Sequence, residues 1–228
     1  MRKRKQQLSR SYKRQILSDI FSLSQRDIDN LCLNLGAVGK NDRLFMKSNN
    51  PNDPKMALNA YDNDLYFSNG YICSSVFLLD MIHFGKSYLR KDSYLYPALF
   101  CFRMFLEIIM KLIIVNLSIC DEQKIKGHNL TKKWEIIKNN YNEPFEGDEV
   151  KGIESMINEL SELDCNGATF RYPKILNEKV CKGSRTIKTM IGVTFIDVAN
   201  IKEKILQLYR FFEGLHESTI RYNTMFYL

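Results

Sequence analysis

Residues 97–134 read PALFCFRMFLEIIMKLIIVNLSICDEQKIKGHNLTKKW, and the first half of that stretch decides the fold. Between Tyr94 and Leu117 nearly every position is apolar except Arg103, Glu107, Lys111 and Asn116. A helix that is apolar on most sides is one that its neighbours cover, so this segment is expected to be the central rod of a bundle, with Pro97 in its first turn. At about 100° per residue, Arg103, Glu107 and Lys111 recur every fourth position and drift only about 80° around the axis. One charged stripe therefore crosses an otherwise oily helix. After a short polar connection, Gly127-His128-Asn129-Leu130 opens a second amphipathic helix that carries Trp134, Ile136 and Ile137, with Trp134 expected in the core.

The flanking sequence repeats the helical period. Leu65 to Tyr88 reads as a buried helix, with Leu65, Ile72, Val76 and Leu79 on one face and Phe77, Met81 and Phe84 on another; His83 falls in line with Leu65 and is expected to be a satisfied core residue. Glu149 to Leu163 is amphipathic through Val150, Ile153, Met156, Ile157 and Leu160, and closes near Asn166-Gly167. Asp197 is placed to cap a last long helix in which Ile201, Ile205, Leu208, Phe212 and Leu215 share a face. Toward the N-terminus, a capping pattern at Ser24 to Asp27 suggests a helix over about Gln25 to Leu35, preceded by another over Tyr12 to Leu23. Gly36 to Asp62, rich in Gly, Asn, Asp and Pro, reads as a long loop. Thr169-Phe170-Arg171-Tyr172-Pro173 is a compact aromatic and basic cluster, and Val180 to Ile187 is compatible with a small hairpin. The terminal Met225-Phe226-Tyr227-Leu228 is apolar enough to dock. No strand–helix alternation is visible. The expected class is all-α: a helical bundle over residues 62–228, with a small irregular or hairpin insertion before the last helix, behind a section over 1–61 made of a basic arm, short helices and the long loop.

The totals fit a globular protein. The chain has 228 residues, 45% hydrophobic and 26% charged, enough for one sizeable core. Its six cysteines include no Cys-x-x-Cys pair and no secretory leader is read before them, so free thiols in a reducing cytoplasmic compartment are expected. Leu95 to Leu117 has the length of a membrane span, but three charges at its middle would each cost roughly 2.5–3.5 kcal/mol, and no membrane association is expected. Part of the formal net charge of +7 is gathered in Arg2, Lys3, Arg4, Lys5, Arg10, Lys13 and Arg14. Such an arm attracts polyanions, although a solvated terminus carries the same charge without a partner.

Few chemistries fit the remaining residues. Three scattered histidines give no His-x-x-x-His or Glu-x-x-His pair, and there is neither a phosphate-binding glycine loop nor a Gly-x-Ser-x-Gly elbow; no metal and no cofactor are expected. Arg103 and Lys111 on the central rod, His128 and Asn129 at the next helix start, Arg171 in the aromatic cluster, and Arg210 with His216 on the last helix form a basic, histidine-bearing set. Arginine and lysine hold phosphate and a histidine moves a proton, which suffices for metal-free RNA cleavage through the 2′-hydroxyl. Each has a plainer reading too: Arg103 and Glu107 can be a solvated ion pair worth about 0.2–0.5 kcal/mol, and Arg171 can stack on a ring.

Arg-x-x-x-Glu-x-x-x-Lys on an apolar helix, then His-Asn-Leu with Trp four residues beyond, then Phe-Arg-Tyr-Pro, resembles bacterial helical proteins of the HEPN (higher eukaryotes and prokaryotes nucleotide-binding) superfamily over about Tyr96 to Phe212. The resemblance implies a helical bundle that often dimerises. In active members it implies a metal-independent endoribonuclease of toxin–antitoxin pairs or antiviral defence, and in inactive ones an RNA- or protein-binding module. The superfamily's signature is an Arg, a polar residue and a His after four to six positions. Only Arg210 and His216 have that spacing, with Phe211 where the polar residue should be, and about 240° apart on a regular helix. The expectation is an RNA-cleaving or RNA-binding homodimer in which His128 or His216 carries the proton. Arg103, Arg171 and Arg210 would hold phosphate, with Lys111 and Asn129 as further RNA contacts and a cognate antitoxin or defence protein as a possible partner. The alternative is a noncatalytic adaptor or sensor that binds a partner protein or nucleotide.

Overall fold

The structure is a computed structural model, and it describes residues 63–84, 88–117, 126–141, 145–164, 167, 169–171 and 195–226. The section 1–61, with its two expected helices and long loop, lies outside the described residues, as do the hairpin over 180–187, Tyr172-Pro173 and the last two residues. The described part is all-α: α1 (Asn63–Phe84), α2 (Tyr88–Asn116), α3 (Leu130–Asn140), α4 (Asp148–Leu163) and α5 (Val198–Phe226). All of it but Phe84 falls in one compact unit formed by Tyr61–His83 and Ser87–Leu228.

α2 is the axis of this unit, about 44 Å long at 1.5 Å per residue. It packs against α5 on one side and α3 on another, and α3 in turn packs against α4. Its core face runs through Ala98, Phe102, Phe105, Leu106, Ile109, Met110, Ile113 and Ile114, all buried. The helix starts earlier than the sequence suggests, so that Pro97 stands inside it rather than in its first turn. Proline forfeits one backbone hydrogen bond there. Pro97 is exposed, and the buried positions begin with Ala98.

α3 brings Leu130, Trp134 and Ile137 onto α2, α4 adds Ile153, Ile157 and Leu160, and α5 adds Ile205, Leu208, Phe212 and Leu215. Trp134 is fully buried, its ring 5.3–5.9 Å from those of Phe145, Phe211 and Phe212 in tilted and edge-on arrangements. Polar ties fix the registers. Asp197 Oδ1 accepts from Asn200 N at 3.0 Å, capping α5 as its residue type predicts. Asn116 Nδ2 donates to Thr219 Oγ1 at 3.2 Å, Lys138 pairs with Glu154 at 2.9 Å, and Lys202 pairs with Asp80.

α1 differs from its expected reading. Only one face is buried, made by Ser68, Ile72, Ser75, Leu79 and Ile82, whereas Leu65, Tyr66, Phe67 and Phe77 are exposed. His83 is exposed, not a core residue. The buried face includes two serines as well as three aliphatic residues, and Ser75 Oγ ties it to α2 by donating to the Ala98 carbonyl at 2.8 Å. By length and composition alone α1 could cross a membrane, with a mean hydropathy of 1.2, yet its serine face lies in the bundle. Cys73 is an exposed free thiol and Cys101 a half-buried one whose pKa burial raises.

Candidate functional site

The charged stripe of α2 does not face solvent. Arg103 is 2% exposed and Glu107 equally buried, while Lys111 lies further out. Arg103 Nη1 donates to Glu107 Oε2 at 3.1 Å, its Nη2 donates to the His128 carbonyl, and its Nε lies 3.2 Å from Asp164 Oδ2, paired in charge without hydrogen-bond alignment. Lys111 Nζ donates to Glu107 Oε1 at 2.8 Å. His128 Nδ1 lies 3.0 and 3.1 Å from the two Glu107 oxygens. One buried carboxylate therefore gathers a guanidinium, an ammonium and an imidazole.

Local sequence explains how His128 arrives there. Gly127 has φ 90°, a left-handed conformation that glycine adopts without penalty. Asn129 then caps α3, its Oδ1 accepting from Lys132 N at 2.8 Å. Between them His128 is held from three directions: Glu107 on its ring, Arg103 on its own carbonyl, and Lys133, which donates to the Gly127 carbonyl at 2.6 Å. Its side chain nonetheless remains 54% exposed. The third wall is the turn after α4. Asp164 is fully buried and its Oδ1 accepts from Thr169 N at 2.8 Å; Gly167, at φ 71°, closes the turn, and Arg171 Nε donates to the Gly167 carbonyl. Arg171 also lies over the Phe100 ring, 5.9 Å from its centre.

Burial pushes the Glu107 carboxyl up, but hydrogen bonds from Lys111 and His128 and the charges of Lys111 and Arg103 outweigh it, and the net effect holds Glu107 below the usual carboxylate range. Ionised, it only accepts hydrogen bonds, so the ring nitrogen facing it is the one that carries hydrogen. Burial lowers the Arg103 guanidinium from its ordinary value, with Glu107 and Asp164 opposing. Burial likewise pulls the Lys133 ammonium down to about 8, against the attraction of Glu107. Among the described residues, the cations Arg103, Lys111, Lys133 and Arg171 outnumber the carboxylates Glu107 and Asp164 in this cluster.

The lowered Glu107 value has a consequence for stability. The unfolded chain binds this proton more tightly than the folded one, so Glu107 stabilises the fold above the ordinary carboxylate pKa, and that contribution is lost as pH falls through its lowered folded value. Urea midpoints of wild type and Glu107→Gln, measured from pH 7 downward, are expected to differ most near neutrality and to converge in acid. A gap that stays constant with pH would mean that Glu107 is not ionised in the fold.

The structure thus joins Arg103, Lys111, His128 and Arg171, but it gives Arg103 a different place from the expected one: every nitrogen of its guanidinium faces a protein group, so it positions neighbours and does not reach a substrate. Asn129 spends its side-chain oxygen on the helix cap. Arg210 is exposed on α5, whereas His216 is buried, its pKa lowered by burial against Glu213 and Glu217. Among the described residues no hydrogen bond or ion pair ties either to the Glu107 cluster. Sequence reasoning left Asp164 and Lys133 out of the site. Both stand in register with apolar positions, Asp164 four residues after Leu160 and Lys133 between Leu130 and Trp134, and a charge at a buried phase needs a partner. No three His, Cys, Asp or Glu side chains converge on a common point among the described residues. Comparison of the chain with protein-family models, curated proteins and solved structures finds no match.

Proposed function

We propose that this chain is a metal-independent endoribonuclease of HEPN-like type, acting in the cytoplasm as a homodimer within a bacterial defence or toxin–antitoxin system. The observation that supports it most is the half-exposed His128 ring whose inner nitrogen is held by buried Glu107. A fixed hydrogen on Nδ1 leaves Nε2 as the proton acceptor, turned away from the carboxylate. His128 Nε2 would remove the proton from a ribose 2′-hydroxyl; the freed oxygen attacks the adjacent phosphorus, and the 5′-oxygen of the next nucleotide leaves, taking up a proton from water. Lys111 and Arg171 flank the imidazole and offset charge on the phosphoryl oxygens. Glu107, Arg103 and Lys133 are positioning residues.

The test is incubation of the pure protein with single-stranded RNA in excess chelator. Fragments that end in 2′,3′-cyclic phosphate are the expected product, and intact RNA would remove the ribonuclease reading. The second reading, a noncatalytic adaptor, draws support from the exposed apolar side chains Leu65, Tyr66, Phe67 and Phe77 on α1. Intact RNA together with a stable complex formed with the product of a neighbouring gene would favour it.

A further inference from the structure

The His128 ring is placed for a second chemistry besides proton transfer. Among the described residues every polar contact of the ring is made through Nδ1, to the two Glu107 oxygens at 3.0 and 3.1 Å. The side chain is half exposed, so Nε2 is the outward nitrogen. Glu107 is buried and its carboxyl is held in the ionised form. As Nε2 forms a bond, positive charge spreads over the imidazole, and here a negative charge already stands against its other nitrogen. Lys111 Nζ binds Oε1 of the same carboxylate at 2.8 Å and its side chain is 34% exposed, which sets an accessible ammonium beside the ring. The ring also stands one residue before Asn129, the N-cap of α3, where the positive end of a helix favours anions. A nucleophilic nitrogen thus faces solvent in a setting that draws a tetrahedral oxyanion. The two other histidines differ: His83 is exposed near the end of α1, and His216 is buried on α5.

We propose that His128 Nε2 accepts a phosphoryl group from a phosphoramidate, a donor whose phosphorus is bonded to nitrogen, and that the modified ring is the off state of the site. The Nε2 lone pair forms the new N–P bond as the donor's P–N bond breaks. The donor nitrogen, protonated beforehand, leaves as the neutral amine with the bonding electrons. Nδ1 keeps its hydrogen toward Glu107, and Lys111 offsets charge on the phosphoryl oxygens. One N–P bond replaces another, so the exchange needs no further co-reactant. The acceptor stands on the geometry of Glu107, His128 and Lys111. The off state rests on the ribonuclease reading, since a phosphorylated Nε2 cannot take the proton of a 2′-hydroxyl and its negative charge repels an RNA phosphate.

The test is incubation of the wild-type chain with potassium phosphoramidate, followed by phosphorus-31 NMR and by mapping of the labelled peptide. His128 is expected to gain the Nε2 isomer about tenfold faster than free histidine does, the worth of one hydrogen bond to a charged group. Glu107→Gln should fall to the rate of free histidine. Lys111 is partly exposed, so Lys111→Gln probes the same cluster without opening the core, and it should slow labelling about fivefold. Equal rates for His128 and free histidine, label on Nδ1, label reaching His83 first, or variants labelled as fast as the wild type would each overturn the acceptor. Labelled protein that cuts RNA as fast as unlabelled protein would overturn the off state. Labelling on Nε2 of a chain that never cuts RNA would remove the ribonuclease reading, and the off state with it, and leave the acceptor in force.

Discussion

Replacing His128 by alanine is expected to lower the rate of chelator-resistant RNA cleavage by about 10²–10⁴-fold, the contribution of a positioned general base. The fold should hardly notice. The ring is half exposed, and the atom that Arg103 grips is the His128 carbonyl, which the substitution keeps. Glu107 retains Arg103 and Lys111. Initial rates on single-stranded RNA, read beside the urea midpoint of the same preparation, separate the two effects. A variant that cuts as fast as the wild type would show that the imidazole is not the proton carrier.

Arg103→Ala is expected to do the reverse, damaging the fold first. The guanidinium is the shared counter-charge of Glu107 on α2 and of Asp164 after α4, and it also anchors the turn before α3. Deletion leaves Asp164 fully buried, with the Thr169 amide as its remaining hydrogen bond. Breaking one partner out of a buried pair costs roughly 3–5 kcal/mol, against about 0.2–0.5 kcal/mol for a solvated pair four residues apart on a helix. At roughly 2–4 °C per kcal/mol for a chain of this size, the melting midpoint should fall by about 10 °C. Lysine should rescue only part of it, since a single ammonium cannot face a carboxylate, a second carboxylate and a carbonyl in three directions. A shift under about 1 kcal/mol would place the stripe at the surface in solution.

Periodicity carried most of the fold. α3, α4 and α5 follow from apolar residues spaced for one buried face, and the Arg103–Glu107–Lys111 stripe stands out because the rest of its helix is oily. α1 resisted the same reading because it is apolar around its whole circumference, and its buried face includes Ser68 and Ser75, which hydropathy ranks as surface residues. Within the candidate site, His128 was legible as a histidine at a helix start and Arg171 as the basic residue of an aromatic cluster. Asp164 and Lys133 were not, because their significance lies in burial: Lys132 and Lys133 are adjacent and alike in sequence, and only the helical phase turns one outward and the other against Gly127. Arg210 and His216 drew notice by spacing along the chain, but one faces solvent and the other the core.

The proposed chemistry requires Glu107 to fix the hydrogen of His128 on Nδ1. Nitrogen-15 chemical shifts of a selectively labelled histidine, recorded at a pH where the imidazole is neutral, report that tautomer directly. The wild-type ring is expected to be protonated at Nδ1, with Nε2 bare. A His128 signal protonated at Nε2, as free imidazole side chains prefer, would contradict the pairing and the chemistry built on it.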